Sequence, residues 1–127
     1  MLEAEVNDLA SGANFAALTT MLPNGRPMTH VMWVDTDGER LLFNTEVHRR
    51  KYLNLQANPV VAVAIIDAGN PYHYVEVRGE VVEEVRGPVA REHIDALSRK
   101  YSGAPFSAPI TSERVILKVE PRRQRVN

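Results

Sequence analysis

Apolar and polar positions alternate along this chain with two different periods. Leu2, Val6 and Leu9 fall on one side of a short helix predicted over Glu3 to Ala10, and Ser11-Gly12 stops it. The period then shortens. Phe15 to Leu22 reads as a strand, Pro23-Asn24-Gly25-Arg26 carries turn chemistry, and Pro27 to Val34 reads as the returning strand. After a second predicted turn at Asp35-Thr36-Asp37-Gly38, Leu41 to Thr45 is expected to complete a three-stranded antiparallel meander.

Val47 to Ala57 is rich in helix formers and ends at Asn58-Pro59, where proline disfavours a helical predecessor. The following run, Val60 to Ile66, is apolar at every position. A strand of that kind needs cover on both faces, from a helix or from a partner subunit. Tyr72 to Val82 alternates as a half-buried strand, with Val75, Val77, Gly79 and Val81 on one face. Gly79 marks a bulge or a close approach of another backbone. A longer helix is predicted over Pro88 to Tyr101, with Ala90, Ile94, Leu97 and Tyr101 at helical spacing, and Arg114 to Glu120 closes the pattern as a strand. About six antiparallel strands with interspersed helices indicate an α+β barrel rather than a βαβ repeat.

The 127 residues suit a single domain spanning 1–127, and a chain of this size gains from burying further surface in a dimer. Charge removes several classes of function. Fifteen basic residues stand against 16 acidic ones, a net charge of -1, which gives no electrostatic drive toward nucleic acid or an anionic membrane. Cysteine is absent, so thiolate catalysis and cysteine-ligated metals are excluded. The longest apolar run is too short to span a bilayer and the acidic first residues lack the basic start of a signal peptide, so a cytoplasmic location is expected. His30, His48, His73 and His93 are scattered without metal-ligand spacing, and no metal site is expected.

One local cluster points to chemistry. Asn44-Thr45-Glu46-Val47-His48-Arg49-Arg50-Lys51 lies where a strand runs into a helix. Cations at a helix N-terminus oppose its dipole unless an anion such as phosphate sits there, accepting bonds from Arg49, Lys51, Thr45 and the exposed amides. The alternative is a solvated basic face. Tyr72 and Tyr74 either flank a planar ligand or pack at a strand start, and Trp33 carries the same two readings. Arg122, Arg123 and Arg125 read as a solvated tail.

The order of these segments resembles a known family. The Ala17-Leu18-Thr19-Thr20 strand, the Pro-Asn-Gly-Arg-Pro turn, Thr29-His30-Val31-Met32-Trp33, the helix from Arg49 to Pro59, Val77-Arg78-Gly79-Glu80-Val81, Tyr101-Ser102-Gly103 and Glu113 to Val119 together are similar to the pyridoxamine 5'-phosphate oxidase-like split barrels, and within them to the flavin/deazaflavin oxidoreductases. The resemblance implies a six-stranded antiparallel split β-barrel forming a homodimer, with cofactor sites in the subunit interface. It implies that Arg49 and Lys51, with Thr45, hold the cofactor phosphate. The strand through His30, Val31, Met32 and Trp33 would lie along the ring, and Tyr72 and Tyr74 would reach the site from the other subunit. The implied cofactor is coenzyme F420, with FMN as the alternative, and the implied activity is hydride transfer to a small conjugated or aromatic substrate. Many relatives carry a tryptophan-containing segment after the last strand; Arg122 to Asn127 contains none. That departure keeps a non-catalytic cofactor-binding or ligand-sensing dimer as the alternative.

Overall fold

A computed structural model describes residues 1–127. Its elements, in chain order, are α1 (Ala4–Ser11), β1 (Ala16–Met21), β2 (Pro27–Met32), β3 (Asp35–Thr36), β4 (Leu41–Glu46), α2 (Arg50–Ala57), β5 (Val60–Ile66), β6 (Tyr74–Arg86), α3 (Pro88–Ser102) and β7 (Arg114–Val126). All seven strands join one antiparallel sheet in the order β2-β1-β5-β6-β7-β4-β3. The α+β split barrel is therefore present with seven strands rather than six. The additional one is β3, two residues long, where the sequence reads as a turn; it pairs with Leu41 and Leu42.

The long β6–β7 pair, whose strands are joined through α3, ties the two parts of the sheet together. Tyr74 to Glu80 of β6 pair with β5, while Arg114 to Val119 of β7 pair with β4. Two register shifts interrupt this pairing, at Arg78/Gly79 and Val81/Glu83, and irregularities of this kind bend a strand pair. Gly79 stands opposite Pro121 at the first shift, the close approach its place in the sequence suggested. A Cβ at Gly79 would collide with the carbonyl oxygen of Glu120 and lie 3.3 Å from Cγ1 of Val119. Backbone cannot yield as a side-chain tip can. Gly79→Ala is therefore expected to destabilise the protein by about 2–3 kcal/mol, in the range of overpacked sites, with urea unfolding as the measurement. A loss within experimental error would show that the β6–β7 pair can spread at no cost.

The expected meander stops after its first hairpin. β2 pairs with β1 through the Gly25 turn, but β4 lies at the opposite side of the sheet between β7 and β3. Burial explains the separation. All six residues of β4 are buried, so it must be sandwiched on both faces, whereas β2 exposes every second residue, as an edge strand does. Phe43 and Leu41 enter the main core with Val61, Val63, Val75, Val77 and Leu117. Leu42, between them, points the other way and meets Ile116 and Ala90 of α3. Helix α1 closes the main core with Val6, Leu9 and Ala10, and α2 adds Tyr52 and Leu55.

The arginines near the end of the chain are not a tail. β7 continues to Val126, with Arg123 opposite Arg78 and Arg125 opposite Glu76. Charged residues occupy the outward face of both strands there, so apolar alternation is absent from the sequence although the ladder is intact. No helix is long and apolar enough to cross a membrane.

Candidate functional site

A cleft of about 450 Å³ opens where the end of β4, the start of α2, β2 and α3 converge. Seven of the predicted site residues line it: His30, Val31, Met32, Trp33, Thr45, Arg49 and Lys51. Tyr72 and Tyr74 do not. Tyr72 is 84% exposed on the β5–β6 turn and Tyr74 begins β6 beside Ile66, so neither packs into the core nor faces the cleft of its own chain. Six lining residues went unpredicted as ligand contacts: Phe15, Asn44, Ile94, Leu97, Phe106 and Arg114. The signal for Asn44 was an amide following Leu41-Leu42-Phe43 in a strand buried on both faces, where a polar group requires partners.

One end of the cleft is cationic. Helix α2 starts without a side-chain cap and without an acidic residue in its first turn. Arg50 turns back to Oδ1 of Asn54 at 2.9 Å, but the neighbouring Arg49 and Lys51 stay at the cleft. Burial lowers the Lys51 pKa from the usual lysine value, and repulsion from Arg49 and then Arg114 lowers it further. Burial and the same Lys51 and Arg49 charges lower the His30 pKa from the usual histidine value. Arg114 comes from the start of β7. Its Nε donates to Oδ1 of Asn44 at 2.8 Å, and Nη1 lies 3.8 Å from the buried Glu46 carboxylate. No aspartate or glutamate lines the cleft itself. Three basic side chains thus meet with too little negative charge, which is the electrostatic signature of an anion site.

The other end is aromatic. The Trp33 ring stacks on Tyr101 with centroids 5.3 Å apart and planes inclined by 8°, and Phe106 meets Trp33 edge-on at 6.3 Å. Tyr101 is immobilised behind them: its hydroxyl donates to the Asn14 carbonyl at 2.5 Å and accepts the Val34 amide at 3.1 Å. Phe15, Ile94 and Leu97 extend this apolar surface. A ligand with a flat ring and an anionic tail matches both ends.

The fold is a small split barrel whose cleft joins a cationic corner to an aromatic wall. The chain belongs to the pyridoxamine 5'-phosphate oxidase family, which it matches over residues 2–126. Among solved structures it is similar to an F420 reductase, with 35% identity over 98% of each chain and a TM-score of 0.83. It is also similar to a conserved hypothetical protein from Mycobacterium tuberculosis, at 26% identity over 99% of this chain and 84% of that one, TM-score 0.78. A pyridoxamine 5'-phosphate oxidase-related, FMN binding protein from Nostoc punctiforme shares the fold at 15% identity, over 88% of this chain and 72% of that one, TM-score 0.65. No curated protein sequence matches the chain.

Proposed function

We propose that this protein is an oxidoreductase that binds a flavin-type cofactor, coenzyme F420 in preference to FMN, and acts on a small conjugated or aromatic substrate. The observation that carries the reading is the pairing of an uncompensated cationic corner with an aromatic wall in one cleft. The residues present fit such a group. Arg49 and Lys51 would take its phosphate, an anion that relieves the repulsion now depressing the Lys51 pKa, and the Thr45 hydroxyl would add a neutral donor. When bound, the cofactor ring supplies the hydride chemistry. The chain's own contribution is to position it. Edge strand β2 carries backbone amides with no strand partner on its free side, available along Thr29 to Trp33. The fixed Tyr101–Trp33 stack keeps water from one side of the cleft. Preference for F420 over FMN rests on the 35% identity with an F420 reductase.

The second copy of a homodimer is proposed to cover the outer face of β1, β2, β5 and β6. There Val31, Val60 and Ile66 are 71%, 52% and 41% exposed. That arrangement would carry Tyr72 and Tyr74 toward the partner's cleft. Titration of the purified protein with F420 and with FMN tests the reading. Trp33, the only tryptophan, is the fluorescence reporter, and sedimentation of the same sample reads the assembly. Saturable quenching is expected from both cofactors, at lower concentration for F420. Tighter FMN binding reverses the cofactor preference, and quenching by neither overturns the site. Reduced cofactor mixed with a panel of conjugated acceptors then separates an enzyme from a binding module, which would reduce none of them.

A further inference from the structure

Arg114 carries five N–H donors on a rigid fork, and its aim is set by neighbours reached through a continuous chain of hydrogen bonds. The Asn44 side chain sits beneath α3, 6% exposed. Its Nδ2 donates to the carbonyl of Ala90 at 2.9 Å and lies 3.1 Å from Nδ1 of His93. A carbonyl oxygen only accepts, so the nitrogen end of the amide must face α3. Its oxygen end is thereby turned to Nε of Arg114. The same constraint fixes the histidine. With Asn44 donating, Nδ1 of His93 accepts, and Nε2 bears the proton and donates to Oδ2 of Asp35 at 2.9 Å. Asp35 is held in turn by the Thr36 amide on its other oxygen at 2.8 Å.

We infer that Arg114 is a third anion-binding side chain of the cleft, and that His93 and Asp35 are positioning residues that act on it through the Asn44 amide. The inference rests on the proposal that the cleft takes a phosphate-bearing cofactor. Asn44 occupies only Nε of Arg114, and the Glu46 contact at 3.8 Å is longer than a hydrogen bond. No nitrogen of Arg114 is buried without a partner, so its remaining donors are open to the cleft it lines. Phe106 lies over the guanidinium carbon with its centroid 5.3 Å away and limits its swing from a second side. An arginine whose orientation is fixed before the anion arrives loses less freedom on binding, which is how a residue remote from the ligand affects affinity.

The experiment compares wild type with His93→Leu, His93→Asn, Arg114→Gln and the His93→Leu/Arg114→Gln pair. Two readouts are taken: the Arg114 Nε–H resonance in the free protein, and affinity for F420 and FMN. Asparagine keeps an acceptor close to the place of Nδ1, whereas leucine does not. A protected Nε–H signal is expected in wild type and in His93→Asn, with loss of protection in His93→Leu. Affinity should fall roughly tenfold in Arg114→Gln and by part of that in His93→Leu, with His93→Asn recovering most of it. In the Arg114→Gln background, His93→Leu should have no further effect. An unchanged Nε–H signal in His93→Leu overturns the positioning role, and so does a His93→Leu effect that survives without Arg114. Unchanged affinity in Arg114→Gln overturns its part in anion binding. If the wild-type protein binds neither cofactor, the proposed function fails and Arg114 loses its anion role with it, while the resonance still decides whether His93 positions the arginine.

Discussion

Arg49→Ala combined with Lys51→Ala is expected to weaken cofactor binding by on the order of 10²–10³-fold without destabilising the unliganded protein. A hydrogen bond between a cation and a phosphate contributes about 1.5–2 kcal/mol, so losing two removes about 3–4 kcal/mol, at about 1.4 kcal/mol per decade of affinity. Stability moves independently of that loss. No attractive charge offsets the burial of Lys51, and Arg49 and Arg114 repel it, so its pKa in the folded state is lowered from the unfolded value. Below the unfolded value the unfolded chain therefore holds this proton more tightly than the folded one. Through the interval between the two pKa values stability rises as pH rises. Alanine removes the penalty. The double variant should melt at the wild-type temperature or slightly above it at pH ~7, and its melting temperature should rise less on going to pH ~10. Calorimetry at the two pH values and a cofactor titration read both effects. Unchanged affinity would remove the phosphate from this corner.

Why Arg49 and Lys51 were legible in the sequence while Arg114 was not is a matter of chain distance. The first two lie within one turn of a strand-to-helix junction, and a helix dipole acts locally. Arg114 meets Asn44 across 70 positions because β4 and β7 are neighbours in the sheet, and sheet order is decided by burial of whole strands. The same contrast runs through the fold. The β1–β2 hairpin, the α3 stripe of Ala90, Ile94 and Leu97, and the tight approach at Gly79 each follow from a few adjacent residues. The position of β4 does not, since a strand that is apolar on both faces can follow a hairpin in sequence and still be drawn between α3 and the core. The second half of β7 was hidden for a different reason: its outward charges lie across from the charges of β6, so its pairing leaves no hydrophobic period to read. Val60 to Ile66 was expected to be covered on both faces. In a single chain Val61, Val63 and Ile65 are buried while Val60 and Ile66 remain exposed, which is the strongest physical reason to look for a second subunit.

Glu46→Ala is expected to destabilise the protein by about 3–5 kcal/mol, the range for breaking a buried charge pair by removing one member. Glu46 is 3% exposed at the end of β4. One carboxylate oxygen accepts the backbone amides of Thr111 at 2.7 Å and Ser112 at 2.8 Å, and the other faces Arg114. Alanine would leave two amides without an acceptor and Arg114 without its only nearby carboxylate, and the loop before β7 would lose its anchor. A loss of that size is a large fraction of the stability of a domain this small. Burial by itself raises the Glu46 pKa, but the Ser112 and Thr111 amides, followed by Arg114 and His48, outweigh it and bring the pKa below the usual glutamate value. The carboxylate therefore stabilises the fold fully above its unfolded pKa, and this contribution fades as pH falls through the folded one. Urea unfolding should show the full difference between wild type and Glu46→Ala at pH ~7 and a smaller one near pH ~3. Glu46→Gln separates structure from charge: its amide oxygen still receives Thr111 and Ser112, so it should fall between the two in stability. Because it also removes the counter-charge of Arg114, cofactor affinity should hold or increase in that variant. A fall in affinity with the fold intact would mean that Glu46 orients Arg114 toward the ligand rather than competing with it.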